Sequence, residues 1–161
     1  MTAGRYRDDV DDALVKYLKA DGCLVILPTA PWPFILDENN QEVNTGSQFG
    51  LTLHGGFERP PRGARLRFIQ PNHHLSHVPE QLPFPTSRDL RWRPFFPGKG
   101  AKHTSLMQLH DGDETHLGDA IVYAELNDGG KIFYVWFRLL EGPYAEVLLY
   151  DVFNFLHTQL R

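Results

Sequence analysis

An α+β domain is what this sequence predicts: an antiparallel sheet of about six to seven strands flanked by an N-terminal and a C-terminal helix. Three observations predict it. Apolar residues recur at helical spacing near both ends, short alternating segments fill the middle, and Asn127-Asp128-Gly129-Gly130 joins two of those segments in the manner of a hairpin.

Residues 6–20 predict the first helix. Val10, Leu14, Tyr17 and Leu18 fall on one stripe, acids crowd the first half, and lysines occupy the last turns, which is the charge order the helix dipole favours. Asp21-Gly22 ends it. Residues 23–27 (CLVIL) form a short buried strand closed by Pro28, and a further strand around 33–36 leads into a polar turn over 37–40. Segment 47–55 alternates Phe49, Leu51 and Leu53 on one face, and 64–70 alternates Leu66 and Phe68 against Arg65 and Arg67. These segments predict an antiparallel meander.

Residues 71–101 carry Pro71, Pro79, Pro83, Pro85, Pro94 and Pro97 with little periodicity. A stretch that long inside a small domain is expected to be a functional loop, and its aromatics (Phe84, Trp92, Phe95, Phe96) are expected to pin it to the body. Strands follow at 103–109, 119–126 and 131–140. Residues 132–137 are apolar on both alternating sets, the pattern of a strand covered on both faces. Gly142-Pro143 breaks the chain, and 144–160 reads as a helix with Leu149, Val152, Phe153, Leu156 and Leu160 on its docking stripe. With no repeat or linker, residues 1–161 read as a single domain.

Composition narrows the function classes. The 161 residues, 42% of them apolar, suffice for a core without disulfides or structural metal. One cysteine, Cys23, excludes an intrachain disulfide and a four-thiolate zinc site; beside LVIL it reads as a packing residue rather than a nucleophile. A net charge of −4 disfavours nucleic acid as the partner, except through the local basic stretch Arg59, Arg62, Arg65 and Arg67. No apolar leader and no run of membrane-spanning length are present, so a cytoplasmic protein without membrane attachment is expected.

Seven of the eight histidines lie between 54 and 116. Imidazole is both a frequent metal ligand and a ready acid or base near neutral pH. His74, His77 and His103 are the catalytic candidates. His74, His77, His110, Asp113 and His116 are the candidate ligands of zinc or another transition metal, with Asp111 nearby; the alternative expectation is that no cofactor is held at all. Motif by motif, the chain lacks HExxH, the terminal Glu of a calcium loop and a Gly-x-Ser-x-Gly elbow. His74-Leu75-Ser76 and His103-Thr104-Ser105 do fit His-x-Ser, the element that two-histidine phosphoesterases use twice.

From residue 6 to 94 the order of parts resembles the ubiquitin-conjugating enzymes and their relatives. The resemblance rests on an N-terminal helix, a meander, the stretch GSQFGLTLHGGFERPPRGARLRFIQPNHH with its Pro-Pro turn and Arg-Phe strand, Trp92-Arg93-Pro94, and the final AEVLLYDVFNFL. His73-His74-Leu75 stands where that family has His-Pro-Asn, Phe84 stands near the expected catalytic cysteine, and strands 103–140 are additional. The resemblance therefore implies an inactive, partner-binding variant.

The leading expectation is a non-catalytic protein-recognition module that uses 71–97 as its contact surface. Trp92, Phe95 and Phe96 would be the anchors, and Arg91 and Arg93 their charged neighbours. The alternatives are a small His-dependent, metal-assisted or metal-free hydrolase or phosphoesterase, and an acidic inhibitor or immunity-type protein that blocks a basic partner.

Overall fold

The computed structural model describes residues 8–27, 34–36, 39, 41–44, 51–53, 63–69, 75–83, 95–97 and 101–159. Helix α1 (Asp8–Lys19) leads into β1 (Cys23–Ile26); β2 (Phe34–Leu36), β3 (Glu42–Asn44), β4 (Leu51–Leu53) and β5 (Arg65–Phe68) follow. Next come β6 (Gln81–Pro83), β7 (Phe95–Pro97), β8 (Lys102–His110), β9 (His116–Glu125) and β10 (Lys131–Val135). A 3-10 turn (Phe137–Glu141) and α2 (Ala145–Gln159) complete the chain.

The α+β class is as expected, but the sheet is mixed rather than wholly antiparallel. Its body is β1-β10-β9-β8-β5; β6 extends it beyond β5, and β7 joins β9 with β4 on its far side. Among the described residues, β2 and β3 pair only with each other. β1 lies parallel to β10, Cys23 beside Lys131 and Ile26 beside Tyr134. The cause is the end of α1. Gly22 N–H donates to the Tyr17 carbonyl and Asp21 N–H to the Leu18 carbonyl, both at 2.9 Å, with Asp21 in the left-handed region at φ +62°. This pair of bonds closes the helix and turns the chain. Asp21 Oδ1 then accepts from Gly130 N–H at 3.2 Å and from Lys131 Nζ at 2.8 Å, while Lys131 N–H donates to the Gly22 carbonyl at 2.8 Å. The start of β1 is thus tied to the start of β10, and the two strands run in the same direction.

Two glycines make that junction fit. A Cβ on Gly130, which has φ +82°, would lie 2.5 Å from the Leu18 carbonyl oxygen, so the hairpin turn and α1 meet backbone to backbone. A Cβ on Gly22 would strike the Tyr17 ring at 2.5 Å; that ring's hydroxyl accepts from Cys23 N–H at 3.1 Å. In the Asn127-Asp128-Gly129-Gly130 turn the glycines, not the Asn or Asp, take positive φ.

The strand expected over 131–140 ends at Val135. β10 pairs with the second half of β9, from Glu125 to Ile121. Trp136 N–H makes the last bond, to the Ala120 carbonyl at 2.8 Å, and the next position along that edge of β9, Asp119, is taken by Phe95 of β7. With no partner left, the chain turns into the 3-10 helix. Within the stretch expected as a loop over 71–101, residues 81–83 pair with β5 and 95–97 with β4 and β9.

The core is centred on β9 and β10, where Ile121, Val122, Ala124, Ile132, Phe133 and Val135 are all fully buried. α2 covers one face through Phe155, whose ring lies 5.3 Å from Tyr123 and 5.5 Å from Phe133. Burial pushes the Tyr123 hydroxyl up to about 12, aided by the nearby charge of Glu125, so it stays a neutral phenol at ordinary pH. The helix docks on Leu148, Asp151, Val152, Phe155 and Leu156; Val152 and Leu156 belong to the expected stripe, but Leu149 is only half-buried, Phe153 is 58% exposed, and Leu160 lies outside the described residues.

Candidate functional site

The turn at 75–80, between β5 and β6, lies against α2. Leu75 and Val78 are buried there, and His77 between them faces outward. The His77 backbone N–H donates to Asp151 Oδ2 at 2.9 Å, and its ring Nδ1 pairs with Asp151 Oδ1 at 2.5 Å. Asp151 is 1% exposed, on the docking stripe of α2 between Leu148 and Val152. Burying a carboxylate there costs free energy that only strong partners offset, and both of its oxygens are spent on one residue. The His77 side chain remains 56% exposed, with the Tyr150 ring edge-on at 5.4 Å and 85°. Nε2, on the other side of the imidazole, has no partner among the described residues.

An ionised carboxylate can only accept, so Nδ1 is the donor to Asp151, and in the neutral form of the ring the lone pair is then on Nε2. A carboxylate that fixes the tautomer and orientation of a histidine is the arrangement found behind general bases and metal-bound imidazoles alike.

A second polar group gathers at the β8–β9 hairpin. His116 Nε2 and Ser105 Oγ both pair with Asp119 Oδ1, each at 2.9 Å, and Asp119 is 4% exposed. The serine donates to the carboxylate, not to the histidine, so this is not a serine–histidine nucleophile. His110 is buried; its ring nitrogens pair with the Glu114 carbonyl and Gln108 Oε1, each at 3.1 Å, and its ring lies 5.7 Å from that of His116. Arg67 Nη1 donates to Glu114 Oε2 at 2.6 Å, and Glu114 sits at φ +65° in the hairpin loop. Asp111 Oδ1 accepts from Asp113 N–H at 2.9 Å and Thr115 N–H at 2.8 Å, which ties the loop together.

Of the residues expected at a site, the structure brings His110 and His116 together and places Asp113 in the same loop, while His77 stands on α2. Among the described residues, no three His, Cys, Asp or Glu side chains come together to hold a metal ion. His103 is exposed on β8 and shares no hydrogen bond or ring contact with His77. His74, Arg91, Trp92 and Arg93 lie outside the described residues; Phe95 and Phe96 are described only as backbone of β7, opposite Leu53 and Thr52. In the basic stretch, Arg65 is exposed and Arg67 is paired with Glu114, while Arg59 and Arg62 also lie outside. Burial pushes the Cys23 thiol up, which makes it a poor nucleophile, as the sequence suggested.

Sequence reasoning missed Asp151, the residue that organises His77. Its signal was present: an acid on an apolar i, i+3, i+4, i+7 stripe must find a buried partner.

The exposed side of α2 completes the picture. Val147, Tyr150 and Phe153 of α2, with Tyr144 just before it, recur every three residues and are 38%, 58%, 58% and 38% exposed, and the Tyr150 ring lies against His77. α2 contains Glu146 but neither Lys nor Arg.

No protein-family model matches this sequence, and no curated protein or solved structure matches it. The reading of function therefore rests on the residues themselves.

Proposed function

We propose that this chain is a protein-recognition module whose contact surface lies where the 75–80 turn meets α2. The row Tyr144, Val147, Tyr150 and Phe153 carries this reading. Isolated exposed apolar residues are ordinary, but three exposed aromatic rings and a valine within ten residues, two of the rings more than half exposed on one helix, have the composition of an interface centre. His77, from the proline-rich stretch expected to make the contact, stands against that row and offers it a hydrogen-bonding nitrogen.

The partner is a basic amphipathic segment. A helix with Glu146 and no cation, on a chain of net charge −4, selects apolar anchors flanked by Lys or Arg. An acidic inhibitor is the special case in which the segment belongs to a basic enzyme. The resemblance to ubiquitin-conjugating enzymes, with Phe84 near the cysteine position, is in keeping with partner binding in place of thioester chemistry.

Titration of the whole chain with an amphipathic Leu/Lys peptide, and with its Leu/Glu counterpart, tests the proposal. The basic peptide should bind and the acidic one should not. Replacing Tyr150 and Phe153 by Ser should weaken binding at least about tenfold, the scale of a lost aromatic anchor, with the circular dichroism spectrum unchanged. Equal affinity for the double variant and the wild type would remove the surface from consideration.

A further inference from the structure

The clamp on His77 has chemistry that recognition does not need. We propose that His77 and Asp151 form a nucleophilic imidazole centre, with Nε2 of His77 as the reacting atom toward neutral acyl compounds, namely esters of aromatic or apolar alcohols.

Three observations carry this. First, the two-point hold of Asp151 on the backbone N–H and on Nδ1 of one residue fixes both the position and the tautomer of the ring, which leaves the lone pair on Nε2. A loop anchor alone would need only the backbone bond. Second, the ring is 56% exposed at the surface, so an electrophile can reach Nε2. Third, the surroundings select the substrate. Tyr150 lies edge-on at 5.4 Å with Val147 one turn away, and α2 supplies no Lys or Arg to hold a phosphate or carboxylate. An aromatic or aliphatic ester can lie on that row; an anionic substrate gains nothing there.

The step conserves atoms and electrons. The Nε2 lone pair attacks the ester carbonyl carbon, and a tetrahedral adduct forms. Its C–O bond to the alcohol breaks, and the alcohol leaves as alkoxide or phenolate with the bonding pair and takes a proton from water. The acylated ring is an imidazolium, and Asp151, at its Nδ1–H, balances the charge. Water then adds to the acyl carbon and gives up a proton to the hydroxide left by the first step, the C–N bond breaks, its electron pair returns to Nε2, and the carboxylic acid departs. The sum is ester plus water giving acid plus alcohol. Asp151 is a positioning residue that never touches the substrate.

This activity shares its surface with the recognition reading, and the two are told apart by readout: His77→Gln removes hydrolysis while leaving Tyr150 and Phe153, the anchors of peptide binding, in place. The test is hydrolysis of p-nitrophenyl acetate by the full chain, with mass-spectrometric capture of the acyl group. His77→Gln should lower the protein-dependent rate at least about tenfold, and the trapped acetyl group should map to His77. His103→Gln, which removes an exposed histidine with no carboxylate partner among the described residues, should leave the rate unchanged. Asp151→Asn should also lower the rate. Because that variant disturbs a buried position, nitrogen NMR of the wild-type ring provides an independent reading: the hydrogen should reside on Nδ1, the less common tautomer, and this preference should be absent at His103. Equal rates for wild type and His77→Gln, acetyl label spread evenly over the histidines, or an Nε2–H tautomer at His77 would each overturn the proposal.

Discussion

Asp21 shows how much one side chain can organise. It ends α1 in the left-handed region, accepts from Gly130 N–H and holds Lys131 Nζ at 2.8 Å. The Lys131 ammonium, and after it the Gly130 N–H, holds the Asp21 carboxyl below its ordinary value; the same hydrogen bond from Asp21 raises Lys131. The sign of the linkage follows. A carboxyl lowered on folding stabilises the fold above its unfolded value and loses that effect as pH falls through the folded value. An ammonium raised on folding stabilises below its unfolded value and loses the effect as pH rises through the folded one. Neutral pH lies inside this window. Asp21→Asn, which keeps the tolerance for positive φ, should therefore lower the urea midpoint at pH 7. The difference from wild type should shrink in acid as the wild-type carboxyl protonates, and shrink again in alkali as Lys131 discharges. A difference independent of pH would mean that the pair contributes nothing electrostatic.

At the scale of the element, α2 separates what a sequence discloses from what it conceals. Its existence and bounds were legible from apolar spacing and the Gly142-Pro143 break. Its docking face was legible only at Val152 and Leu156, because neighbouring positions are apolar too: Leu148 sits next to Leu149, and Val152 next to Phe153. Asp151 is an acid on that face, out of place in a core until His77 is seen against it. Stability measurements distinguish the two faces. Phe155→Ala should cost about 3–5 kcal/mol, as truncation of a packed aromatic does. Phe153→Ser should change stability by no more than about 0.5 kcal/mol. Urea unfolding of both variants checks this, and similar losses would reverse the assignment. The candidate site was legible to the same degree. His77 could be singled out from its neighbours in sequence, but its orienting carboxylate comes from a helix 74 residues away, a pairing that spacing does not encode.

At the scale of the molecule, burial is steepest along β9 and β10, the strands that every other layer covers. Hydrogen exchange should accordingly be slowest at Ile121–Ala124 and Ile132–Val135 and faster along β1, which ends the sheet and is only half-buried over Cys23–Val25. Exchange that is uniform across β1 and β9 would show that the sheet opens as one unit. The positions of several strands were readable from alternation, whereas neither the make-up of the sheet, a five-strand mixed body in place of six to seven antiparallel strands, nor its parallel edge was. Alternation fixes which side chains share a face, but the direction of β1 relative to β10 is decided by a junction of Gly22, Gly130 and Asp21 that forms only in three dimensions.

That junction also sets a schedule for birth on the ribosome. α1 and β1 leave the exit tunnel well ahead of the strand they must lie beside, which begins at Lys131, more than a hundred residues later. At translation speeds of roughly 5–20 residues per second, the amino-terminal segment waits about 5–20 s with its apolar side uncovered. A segment built this way needs shielding in the interval, because closing the parallel edge must join two stretches of polypeptide made many seconds apart.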